Sequence, residues 1–303
     1  METQIDTRHS ASKSLNKSKE NTPWRIAFRK FKRNRMAVLG VWVLLIIVMI
    51  GIFAPYLTPH DPEYADLLNT NGKPDKVHWL GTDSSGRDIF ARLLYGSRIS
   101  LIIGFSAMLF TIVIGTILGS VAGYYGGKID NIIMRLADIQ LNFPFLLLVM
   151  TVVAILKEIN ILIFVSVMAF VSWPGITRII RATFLSLREQ EFILSARSIG
   201  GSDFRIIFRH MLPNAMGPII VNATLFMAGM IISESALSFI GFGVPQPTPT
   251  WGNMLTEALS LRVLQYEPWA WIPPGIMIVI TVLAINFIGD GLRDALDPRM
   301  RKS

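Results

Sequence analysis

Six long stretches of this chain contain no Asp, Glu, Lys or Arg: residues 36–60, 99–127, 139–156, 159–177, 211–233 and 268–289. A helix needs about 20 apolar residues to cross a hydrocarbon core roughly 30 Å thick, so each stretch is long enough, or nearly so, to span a bilayer. The third has 18 residues. Starting it near Ile132, with Asp138 facing protein or headgroups, completes it. Only helices and closed barrels satisfy every backbone group in lipid, and the alternating pattern of barrel strands is absent, so the spans are expected to be helices. Lys157 and Glu158 separate the third and fourth stretches, which predicts a tight hairpin. The chain is 51% hydrophobic and 17% charged, against about 25% charged in soluble domains.

The basic residues order these spans. With the N-terminus inside, 22 of the 29 Lys and Arg fall on the inner side, in 1–35, at Lys128 and Arg135, in 178–210 and in 291–303. That bias predicts both termini in the cytoplasm and hence an even number of spans, six. Residues 1–22 are rich in Ser, Lys and Asn and read as a disordered cytoplasmic tail. Residues 23–35 place Trp24, Phe28 and Phe31 on one helical face among Arg and Lys, as in a helix lying along the membrane surface and its lipid. The first transmembrane helix is placed at 36–56, as a permanent anchor, because a long basic leader and the lack of an Ala-x-Ala site do not fit a cleaved signal peptide. An extracytoplasmic loop is placed at 57–98, five further spans at 99–290 and a cytoplasmic tail at 291–303. In the second span Gly115, Gly119 and Gly123 recur every four residues, a stripe that lets another helix pack closely. Pro144, Pro174, Pro218 and the Pro273–Pro274 pair point to kinked helices in a bundle.

The sequence carries no chemistry of its own. "GYYGGKI" lacks the spacing of a P-loop, no His-Glu-x-x-His occurs, and "GTDSSG" misses the nucleophile-elbow spacing. There is no cysteine, and the four histidines are scattered. Asp138 and Asp290 lie at span ends, which argues against an intramembrane aspartyl protease. A non-enzyme with no cofactor or metal is therefore expected. The net charge of +8 clusters between spans rather than over one face, as membrane topology requires and nucleic acid does not. In "GTDSSGRD", Asp83, Gly86 and Asp88 resemble half of a calcium loop without its distal Glu; the stretch could touch a binding protein or cap the second span, but a structural turn followed by an interfacial helix is the better reading.

One segment breaks the greasy pattern. Residues 178–210 carry six arginines, too many to hold in lipid at roughly 2.5–3.5 kcal/mol each. Phe192, Ala196 and Ile199 repeat at helical spacing, as do Phe204, Ile207, Phe208 and Met211. Two short amphipathic helices are expected, broken at Gly200–Gly201, the second capped by Ser202 and ended by Pro213. Such a unit fits either acidic lipid or a groove on a soluble partner.

The same segment, "EFILSARSIGGSDFRIIFRHMLPN", resembles the cytoplasmic loop shared by ABC-importer membrane subunits, with Ala196, Gly200, Leu212 and Pro213 at matching positions. It departs from the family at Leu194, where a Glu is usual; Glu191 lies one turn upstream. "LGTDSSGRDIFARLLYGSRISL", "ESALSFIGFG", "TWGNML" and "NFIGDGLRDALDPR" are similar to the second permease of dipeptide, oligopeptide and nickel importers. The resemblance implies an all-α integral membrane protein, a type I ABC importer transmembrane domain with six transmembrane helices, in the bacterial cytoplasmic membrane. It implies an ATPase-coupling loop at 181–214, in which Glu191, Ala196, Gly200, Gly201, Arg205, Arg209, Leu212 and Pro213 are the candidate residues. It also implies ATP and Mg bound by two partner ATP-binding subunits, a homologous second permease and an extracytoplasmic peptide-binding protein. The function expected is import of oligopeptides or dipeptides; alternatives are nickel import, a stand-alone secondary transporter, or a scaffold without transport. Glu234, Asn222, Asn142 and Asn286, polar groups in or near spans, are candidates for the pathway.

Overall fold

A computed structural model describes residues 23–156 and 158–296. The segments 1–22 and 297–303, including the expected disordered tail, lie outside the described residues, as does Lys157. The described chain is helical: α1 (Pro23–Arg33), α2 (Arg35–Leu57), α3 (Ile89–Tyr125), α4 (Gly127–Leu141), α5 (Phe145–Ile155), α6 (Ile161–Arg188), α7 (Glu191–Ser198), α8 (Asp203–Phe239), α9 (Trp251–Met254), α10 (Leu261–Tyr266) and α11 (Pro268–Leu296). Helices α2, α3, α6, α8 and α11 are each long and apolar enough to cross a membrane, and α4 with α5 supplies a sixth, bent span.

Helix α2 runs from Arg35 to Leu57, where the sequence places the first span at 36–56. Asn34 starts it by accepting the Ala37 amide at 3.1 Å, the side-chain capping that satisfies one free N–H. The second begins ten residues before the expected boundary at 99. Absence of charge marks where lipid begins, not where a helix begins. Arg92 lies within α3 because protein covers it: its guanidinium donates to the Pro62 and Pro247 carbonyls, both at 3.1 Å.

The third span is bent at Pro144, one of the prolines from which the sequence predicts kinks. α4 and α5 meet at 86° across Asn142–Pro144. Pro144 has no N–H to continue the helix and pushes Phe143 out of helical conformation. The Asn142 side chain turns back to the Asp138 carbonyl at 2.9 Å.

The centre of the bundle is the contact between α3 and α6. A Cβ on Gly115 would stand 2.5 Å from Ile176 Cγ2, one on Gly119 2.7 Å from the Thr177 carbonyl, and one on Gly123 2.6 Å from Phe184 Cβ. The glycine stripe thus brings two backbones together, and the functional side of that stripe is packing. Around it, Ile103, Val149, Phe164, Met168, Met230 and Leu237 form one core. Ile112, Ile176, Ile180, Phe184, Ile206 and Met211 form a second towards the end where the arginines of α6 and α7 gather, called here the basic end. At the opposite end Ile89, Met254, Val263 and Ala270 close a smaller cluster under the loops. Exposed apolar side chains such as Leu39, Trp42, Ile117, Phe170 and Leu283 cover the outside of the spans, as a lipid-facing surface requires. Helix α1 is amphipathic but not only surface-bound: Ala27 is buried and Phe31 packs against Gly291 of α11, while Phe28 is exposed with Lys32 Nζ 4.9 Å from its ring centroid.

The "GTDSSGRD" stretch is a structural turn. Asp83 accepts the Ser85 and Arg87 amides and the Arg87 Nε at 2.8–2.9 Å, so its carboxylate is consumed by protein donors. Asp88 caps α3 through the Ala91 amide at 2.6 Å.

Substituting Gly119 with Val forces α3 and α6 apart, because the new carbons meet backbone rather than a movable side-chain tip. We expect destabilisation of about 1–3 kcal/mol or more, read as a lower thermal unfolding midpoint in detergent; Gly175→Ala on α6, whose Cβ meets nothing within 4 Å, should leave that midpoint within a degree or two.

Candidate interaction loop at the basic end

The loop after α6 is built from its backbone outward. α7 ends in a left-handed turn: Gly200 has φ +79°, its N–H donates to the Arg197 carbonyl at 2.9 Å, and the Gly201 N–H donates to the Ala196 carbonyl at 3.0 Å. These two bonds satisfy the carbonyls that a helix end leaves free, and only glycine takes that φ without strain. A Cβ on Gly201 would stand 2.7 Å from the Ala196 carbonyl, so the second glycine is required by close approach.

Two expectations for the next helix need correction. Ser202 stands at its start but makes no side-chain cap; the Ile206 N–H takes the Ser202 carbonyl instead, at 3.0 Å. Pro213 does not end the helix. The chain passes from Asp203 through a π-helical turn, Ile206–Met211, straight into the long span. A proline ring clashes with the carbonyl four residues back. The wider π turn carries the chain past it, with the Leu212 N–H reaching the Ile207 carbonyl. The loop is therefore one short helix, α7, and the first two turns of α8.

The burial pattern splits both expected stripes. Ile193, Ile206, Ile207 and Met211 are buried against Tyr124, Ile180 and Phe184, with Ala196 and Leu212 packed beside them. Phe192 and Leu194 are exposed, and Ile199, Phe204 and Phe208 are 87%, 71% and 53% exposed. The Phe204 and Phe208 rings lie 4.4 Å apart. Arg205, Arg209, Glu191 and Pro213 are exposed beside them, and among the described residues neither arginine has an ion-pair partner. Leu194, where the sequence departs from the resemblance noted above, is thus an exposed apolar residue of the loop.

Polar contacts fasten the loop to α3 and brace α6 against α4. The Tyr124 hydroxyl, at the end of α3, donates to Asp203 Oδ1 at 2.6 Å, and the Arg197 guanidinium lies 4.7 Å over the Tyr124 ring. Arg181 of α6 makes a two-pronged bond to Asp130 of α4, and Arg178 pairs with Asp138. Gln140 Nε2 donates to the Phe170 and Val171 carbonyls, both at 2.9 Å. Sequence reading missed this set. The signal available was the pairing of the acidic residues Asp130 and Asp138 on α4 with Arg178 and Arg181 on α6.

The other candidates do not converge on one place. Glu234, in α8, is fully buried; Ser238 and Ser235 donate to its carboxylate at 2.8 and 3.4 Å, and a Cβ on Gly252 would stand 3.2 Å from it. Gly252 of the loop helix α9 packs over it. Asn222 bonds back to the Pro218 carbonyl at 2.8 Å, Asn142 sits at the α4–α5 bend, and Asn286 is partly buried in α11. At the opposite end burial pushes the Glu257 carboxyl up; bonds from Ser84 oppose this, and the nearby Asp83 adds to it.

A bundle of long apolar helices, with one compact basic loop folded against it and presenting apolar rings, is the architecture of a polytopic integral membrane protein. Comparison with known proteins makes the class specific. Residues 115–302 match the family described as binding-protein-dependent transport system inner membrane component, and residues 22–74 match the N-terminal TM domain of oligopeptide transport permease C. The chain is 45% identical to the dipeptide transport system permease protein DppC of Alkalihalophilus pseudofirmus, over 92% of this chain and 91% of that one. It is 40% identical to the oligopeptide transport system permease protein OppC of Bacillus subtilis, over 92% and 90%, and 44% identical to the glutathione transport system permease protein GsiD of Pectobacterium atrosepticum, over 92% of both. The permease fold in inward-facing conformations of the MetNI methionine ABC transporter aligns with a TM-score of 0.58 at 19% identity, covering 69% of this chain and 98% of that chain. The protein belongs to this family of ABC-transporter permeases and has the type I importer transmembrane fold.

Tyr124→Phe removes the hydroxyl that holds Asp203 while keeping the ring under Arg197. We expect a loss of about 0.5–1.5 kcal/mol, seen as faster amide hydrogen exchange across 202–211, with exchange in α3 upstream of residue 115 unchanged.

Proposed function

We propose that this chain is the permease subunit of an ATP-driven importer that carries short peptides across the bacterial cytoplasmic membrane. The observation that supports it most is the near full-length identity of 40–45% to permeases named for dipeptides, oligopeptides and glutathione; all three substrates are small and peptidic. In this reading both termini lie in the cytoplasm, and the basic end is the cytoplasmic end.

The loop supplies the point of contact with the motor. Ile199, Phe204 and Phe208 present an apolar face ringed by Arg205 and Arg209, with the opposite face fixed in the core. Such a face suits insertion into a cleft of an ATP-binding subunit, with acidic groups of the cleft meeting the arginines. Two ATP-binding subunits hold the ATP and Mg2+. A homologous second permease completes the pathway between the two chains, and an extracytoplasmic peptide-binding protein delivers substrate to the opposite end. The chain itself performs no chemistry; it changes the side from which a peptide is reached. The polar groups Asn142, Asn222 and Asn286 remain candidates for lining that path, whereas Glu234 is enclosed within this chain in the present conformation.

A strain lacking this permease and dependent on di- to pentapeptides for an essential amino acid tests the substrate class. Growth is expected to fail and to return with the wild-type chain, while nickel-dependent urease activity stays normal. Loss of urease alone would overturn the peptide assignment. For the loop, Phe204→Ser combined with Phe208→Ser is expected to lower peptide uptake about tenfold or more and to release the ATP-binding subunits on co-purification, with permease levels in the membrane unchanged.

A further inference from the structure

The end opposite the arginine-rich loop gathers His60, His78 and Asp88 from three separate segments. His60 lies three residues beyond α2, His78 lies in the following loop, and Asp88 is the N-cap of α3. One ligand atom from each lies within 4.8 Å of the others. His78 Nδ1 is 2.8 Å from Asp88 Oδ2, and the two imidazole centroids are 5.0 Å apart. Asp88 divides its work: Oδ1 accepts the Ala91 amide, which leaves Oδ2 for His78. His60 Nε2 donates to the Val77 carbonyl at 3.1 Å, which leaves its Nδ1 with a free lone pair.

A plain helix cap explains the His78–Asp88 bond but gives His60 no part in it. A cation explains all three. We propose that His60, His78 and Asp88 form a binding site for a divalent transition metal of the Zn2+ class, which staples the end of α2 to the start of α3. Two imidazoles and a carboxylate suit such an ion, with water completing its coordination. The ion takes the place of the proton between His78 Nδ1 and Asp88 Oδ2; the neutral imidazole then carries its single proton on Nε2, so His78 binds as a neutral ligand. Imidazole nitrogens bind Zn2+ at about 2.0–2.1 Å, so the 4.8 Å spread contracts by a turn of the half-buried His60 ring. The hollow beside the cluster is lined by Leu57, Thr58, Lys76, Val77, Trp79 and Phe90. Lys76 opposes a dication there, and two neutral imidazoles with one carboxylate have to outweigh it. The site is independent of the transported substrate.

The sequence makes the test clean: it has no cysteine, and its only other histidines are His9 and His210. The full-length chain, purified in detergent through a tag without histidine and stripped with chelator, is titrated with ZnCl2 in competition with a chromophoric chelator. One ion per chain is expected, undisturbed by excess MgCl2. His60→Ala and His78→Ala are each expected to weaken binding about tenfold or more. Zn2+ should raise the unfolding midpoint of the wild type and leave that of His60→Ala unmoved. If His60→Ala unfolds, His60→Asn, which keeps a polar side chain of similar reach, serves in its place. No Zn2+ binding by the wild type, or equal binding by wild type and the His60→Ala/His78→Ala double variant, would overturn the site.

Discussion

The structure depends on how closely α3 and α6 approach. In lipid, apolar side chains gain little by leaving the membrane for one another, so helix pairs are held by van der Waals contact and by hydrogen bonds. Gly115, Gly119 and Gly123 remove the side chains that would hold the two backbones apart. The bent α4–α5 span and α8 pack against this pair, while α11 packs mainly against α2 and α8. The same contact fixes the height of Tyr124 relative to Arg181 and Arg188, because all three sit at the end of that pair. The Arg188 guanidinium even reaches the Tyr124 carbonyl, at 3.5 Å.

Charge is handled differently at the two ends. At the basic end Arg178 and Arg181 are paired to α4, while Arg205 and Arg209 are left exposed on the loop. The paired arginines hold helices; the exposed ones are available to a partner. At the other end Asp83, Arg87 and Arg92 are buried together with backbone carbonyls, which lets α3 extend well beyond any lipid boundary. Buried pairs of this kind contribute more to geometry than to net stability, since desolvation offsets much of their attraction.

Much of this was legible in the sequence. Charge-free runs located the spans because the cost of a charge in lipid is large and local, and the Gly-x-x-x-Gly-x-x-x-Gly spacing located the closest helix contact because few other residues permit one. The Gly200–Gly201 break was equally plain, since positive φ leaves few choices. What could not be read were features set by tertiary partners. The early start of α3 depends on carbonyls at Pro62 and Pro247, far away in sequence. The continuity of α8 through Pro213 depends on a π turn, which no local composition rule signals. The division of the apolar loop residues into buried Ile206, Ile207 and Met211 and exposed Phe204 and Phe208 depends on where α3 and α6 stand. The burial of Glu234 depends likewise on tertiary cover: its serine partners come from its own helix and its cover from α9.

The unbroken course of α8 has a mechanical consequence. Its 37 residues measure about 55 Å at 1.5 Å per residue, nearly twice the hydrocarbon thickness. One end carries Phe204 and Phe208, and the other carries Glu234 beneath the far loops. If it turned as one body, a tilt of about 10° would move its far end by about 10 Å, and Pro218 is an interior position at which that rod can bend. Phe204 and Phe208 at one membrane face and the buried Glu234 near the other thus lie on a single continuous helix.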